Sequence, residues 1–398
     1  MRFHLLAASF IVPLVIPATA FCQLYSENFD VDPTANWTVN GGPSDEEANF
    51  FFDYNTIGIP SAPNSTGGTT RGLKMQANET SAIFGGFSVS PNGQNFSTAG
   101  NYKLTFDWWA NANGPFPAGG SGSTQLSTFG IGTAGTTAQW PGGIQDSVWF
   151  GGTGDGNSSV DWRVYSSAAS TGYLPASGVF AAGTSTSPDS RNNTHSYYSS
   201  FGSTTAPAAQ VALYSQQSGT TVVGSAGMKW HQTEIKKQGT TATWTVDGTL
   251  IATIDLTTVT LGGGNILLGH SDINATSSTD PNADALLFTL IDNVKVTALV
   301  NLSADFNQNN VVDAADYVVW RKNVGIGTTQ PQGDSDGDGD VDSTDYNNWR
   351  AAFGTGSSGS GTLAGSTVPE PSTSVLFGLG GGVLAGRRRR HQTSLKKR

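Results

Sequence analysis

Charge and cysteine are what this chain has little of. Only 13% of its 398 residues are Asp, Glu, Lys or Arg, about half the share usual in soluble domains, so the composition is not that of an ordinary cytosolic enzyme. Lys and Glu are also what long surface helices are made of, and their scarcity excludes a helical bundle or a coiled coil. The single cysteine, Cys22, has no intramolecular partner, so stability outside a cell must come from packing or from metal, with calcium the candidate staple. Basic residues are scarce in the interior: of 20 Lys and Arg, eight lie at the ends (Arg2 and the seven between Arg387 and Arg398), leaving 12 against 30 Asp and Glu. That balance argues against a nucleic acid partner. Ser, Thr, Asn and 51 Gly stand where charges would be, and 37% hydrophobic with 10% aromatic residues suffices to bury a core of strands and turns. The expected class is mainly β, one large domain with small appendages.

The two ends read as addresses. Met1-Arg2-Phe3-His4, an apolar run at 5–16 and Ala18-Thr19-Ala20 make a secretory signal peptide over residues 1–20, too short for a span of roughly 20 apolar residues. Cys22 follows the bulky Phe21, where a lipid-attachment site wants a small residue. At the other end, Val368-Pro369-Glu370-Pro371-Ser372-Thr373 precedes an apolar run at 374–386 and Arg387-Arg388-Arg389-Arg390. As a helix that run would rise roughly 20 Å, short of a roughly 30 Å hydrocarbon core. Residues 368–390 resemble the PEP-CTERM sorting signal of Gram-negative bacteria. The resemblance implies cleavage by an exosortase near Pro369, Glu370 and Pro371, only transient membrane association, and delivery outside the cell or to the envelope or extracellular matrix. The basic tail at 391–398 departs from it, and 356–367 is a Gly/Ser linker.

A repeat at a 29-residue offset carries the strongest chemistry. Asp305, Asn307, Asn309, Val311, Asp313 and Asp316 align with Asp334, Asp336, Asp338, Asp340, Asp342 and Asp345, positions 1, 3, 5, 7, 9 and 12 of two twelve-residue loops. Calcium wants six to eight oxygens around one point, which side chains at 1, 3, 5, 9 and 12 with a carbonyl at 7 provide. Position 6 needs a residue tolerant of positive φ, here Asn310 and Gly339, and position 8, Val312 or Val341, is left to pack inward. Each loop runs into the same phrase, Asp316-Tyr317-x-x-Trp320-Arg321 and Asp345-Tyr346-x-x-Trp349-Arg350, placing Tyr and Trp on one helical face. Residues 300–355 therefore resemble a type I dockerin module holding two calcium ions. By that resemblance Ala314, Ala315, Ser343 and Thr344, with Arg321 and Lys322 nearby, face a cohesin-like partner. The first copy is the less polar of the two.

Residues 21–299 carry strand signals. Tyr102, Leu104, Phe106 and Trp108 alternate on one face of 101–109, and further strands are expected at 227–237, 240–246, 249–256, 265–269 and 285–296, closing the domain as a meander. Asp247-Gly248 between two β-rich runs marks a hairpin. Glu27-Asn28-Phe29-Asp30, Trp244-Thr245-Val246-Asp247-Gly248 and Asp292-Asn293-Val294-Lys295-Val296 resemble the concanavalin-A-like, laminin-G-like jelly roll. The stretch 114–227 reads as a loop-rich insert.

Catalytic signals are thin in this region. Its Glu are Glu27, Glu46, Glu47, Glu79 and Glu234, with no Glu-x-Asp-x-Glu strand to aim a nucleophile and an acid at one sugar. Asp107 and Asp161 are left as carboxylates that folding could bring together. His195, His231 and His270 have no zinc spacing, and no G-x-S-x-G elbow exists. Trp109, on the face opposite Trp108, is a candidate sugar-stacking ring, as are Trp140, Trp149 and Trp162 of the Gly-rich stretch. The whole resembles a secreted planctomycete-like protein. The expected function is non-catalytic, glycan-binding or structural, with a calcium-dependent docking module; a polysaccharide hydrolase or lyase with a lectin-like fold is the rival.

Overall fold

The computed structural model describes residues 23–355 apart from 42–44, 81, 83, 118–124, 144–145, 155, 157, 167–177, 184–188, 275, 300–301 and 310. The signal peptide, the linker and the sorting residues Pro369, Glu370 and Pro371 lie outside the described residues. Residues 23–298 form a mainly β, antiparallel sandwich of two sheets. The larger sheet runs in the order β10 (Gly178–Phe180), β13 (Thr249–Asp255), β12 (Thr241–Val246), β11 (Trp230–Gln238), β6 (Tyr102–Asn111), β15 (Phe288–Ala298), β4 (Arg71–Ala77) and β3 (Glu46–Asp53). The first strand, β1 (Gln23–Glu27), shares the outer edge of β15 with β4: Glu27 pairs with Val294, while Met75 pairs with Thr289. The smaller sheet is β2 (Trp37–Asn40), β5 (Gly85–Pro91), β14 (Asn265–Asp272), β7 (Gln125–Thr133), β8 (Val148–Thr153) and β9 (Trp162–Ser166).

Period-2 alternation builds the core. Leu104, Phe106 and Trp108 of β6, Ile235 of β11 and Trp244 of β12 meet Phe87, Phe129, Phe150 and Leu268 of the smaller sheet, all buried. Asp247 (φ 48°) and Gly248 (φ 76°) are both left-handed and turn the chain from β12 to β13, as a tight primed turn requires.

Two expectations need correction. Only β11, β12 and β13 are a meander; β14 crosses to the smaller sheet and β15 returns between β6 and β4. Residues 114–227 are not merely an insert, because β7, β8 and β9 supply half of the smaller sheet. Their glycines hid them. A Cβ on Gly130 would strike Val148 and the backbone and Cβ of Trp149 on the paired strand, and one on Gly152 would strike the Trp108 ring, so neither position has room for a side chain.

Two short helices, α1 (Ala208–Leu213) and α2 (Ala283–Leu286), sit in the connections of the sandwich. Beyond β15, each repeat is a loop followed by one helix, α3 (Ala314–Asn323) and α4 (Ser343–Ala352). Asp313 and Asp342 cap the helices, accepting from Ala315 N at 2.7 Å and Thr344 N at 2.6 Å. Asp316 and Asp345 reach back to the cap amides, completing two capping boxes. Val312 and Val341 are buried.

Candidate functional site

Side chains alternate across each strand, so the face of the larger sheet that looks away from the smaller one carries Lys103, Thr105, Asp107 and Trp109 of β6. One end of this outer face is covered. Trp109 packs with Trp230, Tyr54 and Leu290 in a second apolar cluster that also takes in Ile57, Phe116 and Met228. Gly58 (φ 77°) lets the chain pass against α1, where a Cβ would collide with the backbone of Ala209 and Gln210.

The other end is open. A groove of about 630 Å3 crosses β15, β6 and β11, lined by Lys103, Thr105, Gln232, Asn293, Lys295 and Thr297, with Asn28 and Asn64 at its margins. A second hollow of about 270 Å3 shares Lys103, Thr105 and Gln232 and extends over Glu234 and Thr245. Lys103 Nζ lies 2.9 Å from Glu234 Oε2. Among the described residues no aromatic platform lines it; Phe106 and Val294 are the large apolar ones there, and both are otherwise buried.

At the border between the covered and open ends stand two carboxylates. Asp107 and Asp292 are directly opposite on β6 and β15, a pairing the sequence did not reveal. Their oxygens are taken. Asp107 accepts from Asn64 N (3.1 Å), Asn64 Nδ2 (2.7 Å) and Asn293 Nδ2 (2.9 Å). Asp292 accepts from Tyr54 OH (3.0 Å), Ser65 Oγ (2.9 Å) and Asn293 N (2.7 Å). Asn293 is left-handed (φ 54°) where the β15 register slips, and that bulge aims its amide at Asp107. Burial, together with the Asp107 charge, pushes the Asp292 carboxyl up to about 7. Both groups are fully buried, so the pair clamps residues 54–65 onto the sheet. Asp161 lies elsewhere and binds Thr153 Oγ1 and Asn193 N.

The sugar-stacking candidates fare differently. Trp109 does face away from Trp108, yet it is 1% exposed because the second apolar layer covers it. Trp149 is wholly buried, stacked on Tyr165 with ring centroids 4.0 Å apart, and Trp162 is in the main core. None of these three can meet a sugar. Trp140 is partly exposed beside Phe84, 5.0 Å away. The histidines are structural: His231 sits between Asp247 Oδ2 (2.7 Å) and Ala226 O (2.8 Å), His270 is buried against Thr289, and His195 caps a turn.

The second acidic loop folds its carboxylates together. Asp334, Asp336 and Asp338 each offer an oxygen within 4.8 Å of the others, as do Asp340, Asp342 and Asp345. This all-oxygen set fits a hard cation such as calcium. Neighbouring carboxylates push the Asp340 carboxyl up, the repulsion a cation would relieve. Among the described residues the first loop makes no such group; Asn307 and Asn309 stand for two of the carboxylates. Its Asp305 and Asp316 are buried and organise the loop through Asn309 N and Asn307 N, each at 3.0 Å. Position 4 is left-handed in both loops, Gln308 (φ 58°) and Gly337 (φ 80°), a requirement that sequence reading assigned only to position 6. The repeats lock reciprocally: Trp320 Nε1 donates to Asp342 O (2.8 Å) and Trp349 Nε1 to Asp313 O (2.9 Å). Ala314, Ala315, Arg321, Lys322, Ser343 and Thr344 are all exposed.

Residues 367–390 match the PEP-CTERM protein-sorting motif, which marks an exported protein sorted to the cell surface. No curated protein matches this sequence. The chain is similar in structure to a protein of unknown function with a galectin-like fold from Bacillus subtilis (9% identity, 71% of this chain, 98% of that one, TM-score 0.35). It is also similar to a β-glucanase of Bacillus licheniformis (11%, 69% and 97%, TM-score 0.31). A third similar structure belongs to endo-acting O-glycanases of the human gut microbiota (11%, 70% and 99%, TM-score 0.36). No helix among the described residues is long and apolar enough to cross a membrane.

Proposed function

We propose that this protein binds polysaccharide at the cell surface through the outer-face groove and docks through its two calcium loops. The observation that carries the reading is the groove itself: open, polar and crossed by three strands that hold its floor rigid. Its own carboxylates are engaged, Glu27 by Phe29 N and Glu234 by Lys103, and the buried Asp107 and Asp292 at its border are committed to the 54–65 segment or Asn293, which favours binding over turnover. The second loop would hold calcium with Asp334, Asp336, Asp338, Asp340, Asp342 and Asp345. The first would use Asp305, Asn307, Asn309, Asp313, Asp316 and the Val311 carbonyl. Bound calcium would supply the charge that lets nine Asp share about 50 residues. The exposed Ala314, Ala315, Arg321, Lys322, Ser343 and Thr344 would then face a cohesin-like partner. Exosortase processing near Pro369, Glu370 and Pro371 would release the chain to the envelope or matrix.

A hydrolase or lyase remains the second reading, because two facing carboxylates of which one titrates near neutrality are what acid/base work on a glycan needs. The full secreted chain on a glycan array, followed by a reducing-end assay with whatever binds, separates the two. Binding without release is expected. Release that disappears in Asp292→Asn would establish the enzyme.

A further inference from the structure

We infer that the groove selects a neutral polysaccharide, whose hydroxyl groups donate to the side-chain carbonyls of Asn64 and Asn293; this rests on the polysaccharide-binding reading above. Asp107 is the positioning residue. Its Oδ1 accepts from Asn64 Nδ2 at 2.7 Å, and its Oδ2 accepts from Asn293 Nδ2 at 2.9 Å and Asn64 N at 3.1 Å. A carboxylate only accepts, so each carboxamide must give it the NH2 end and is left with Oδ1 turned away. Ser65 Oγ takes a second bond from Asn293 Nδ2 at 3.1 Å and fixes that amide further. Both asparagines line the groove, Asn64 exposed and Asn293 half-buried, and neither Oδ1 accepts a hydrogen bond among the described residues.

Two acceptors from distant parts of the chain, one on the 54–65 segment and one at the β15 bulge, are thus held on opposite oxygens of one buried carboxylate. To a sugar hydroxyl they are ready-made acceptors. To a carboxylate or sulfate they offer no hydrogen, and burying such a group against them leaves acceptors on both sides unpaired. The charges in the lining balance: Lys103 and Lys295 are matched by Glu27 and Glu234 across the groove and its adjoining hollow, and Lys103 is paired with Glu234 at 2.9 Å. Gln232 and Thr105, whose side chains make no hydrogen bond among the described residues, add neutral donors and acceptors. Phe106, the one ring in the described lining, packs into the core, so the groove reads a glycan by its hydroxyls and not by stacking.

The test uses the full secreted chain at fixed calcium, titrated calorimetrically with a neutral galactan, a neutral galactomannan and polygalacturonate. A neutral polymer should bind roughly tenfold or more tightly than polygalacturonate, the worth of two hydrogen bonds, and its affinity should be the same at about 0.05 and 0.5 M salt. Asn64→Ala and Asn293→Gly, the latter keeping the left-handed backbone, should each weaken the neutral polymer roughly threefold to tenfold. Asp107→Asn separates positioning from mere support. Oδ2 holds two donors, so the new NH2 takes the place of Oδ1 and Asn64 must turn its carbonyl inward and its own NH2 to the groove. The neutral polymer should then weaken while polygalacturonate gains; equal weakening of both overturns the positioning role. Should that variant fail to fold, Asn64→Ala, at an exposed site, carries the test. A preference for polygalacturonate, or neutral binding untouched by both asparagine variants, overturns the inference and leaves the groove standing. Failure of every polymer to bind, or binding indifferent to Thr105→Trp, which fills the groove floor, overturns the groove reading as well.

Discussion

Glu79 lies two residues past β4, is 6% exposed, and among the described residues has no hydrogen-bond partner for either carboxylate oxygen. Burial first, then the charges of Asp284 and Asp45, push it up to about 8 from an ordinary 4.5. Between those values the folded chain holds a proton that the unfolded chain has lost, so stability falls as pH rises through that window and the full cost is felt above pH 8. Glu79→Gln should therefore raise the melting temperature at about pH 9 and leave it unchanged near pH 4, read by calorimetry. A gain at both pH values would assign the effect to something other than the charge. Asp292, raised to about 7, adds a slope of the same sign. Asp292→Asn should flatten it but place an amide against Asn293 N, costing about 1–3 kcal/mol at low pH. Neither effect was legible in the sequence, because both depend on desolvation by residues distant in the chain. Trp109 teaches the same lesson: alternation correctly assigned its face, but only folding decides whether a face is covered.

Glycine and tryptophan set the behaviour of whole elements. Gly58→Ala should cost several kcal/mol, since it combines left-handed strain of roughly 1 kcal/mol or more with a backbone collision against α1; chemical denaturation reads it. In the repeat region, each Trp indole holds the carbonyl at position 9 of the other loop, so the two loops should fill with calcium as a coupled pair. Trp349→Phe removes one bond, worth about 0.5–1.5 kcal/mol, and should weaken calcium binding at the first loop although the change lies in the second repeat. Calorimetric titration that shows an unaltered first loop would end that idea. Asp345→Ala should cost more affinity than Asp316→Ala, because it breaks the better-endowed carboxylate set.

For the molecule as a whole, calcium chelation should remove the small helical component of the circular dichroism spectrum while the sandwich, whose core is apolar, keeps its strand signal. Protein recovered from its native host should lack residues 387–398 by intact mass; a full C-terminus in the envelope fraction would contradict the processing reading. The features legible in the sequence are those written in contiguous residues. The strand alternation of β6, the Asp247-Gly248 hairpin, the acidic loops with their capping residues and the sorting motif each depend on spacings of a few positions, and local backbone geometry reads such spacings directly. The strands at 125–166 escaped because their glycines answer to Trp108 across the core and to Trp149 on the paired strand, not to their neighbours in the chain. The tertiary structure alone decided which aromatic rings are sealed, that Asp107 faces Asp292, and that Lys103 and Lys295 line one groove. Each of those depends on register between strands far apart in sequence, and register is set by the packing of the whole core.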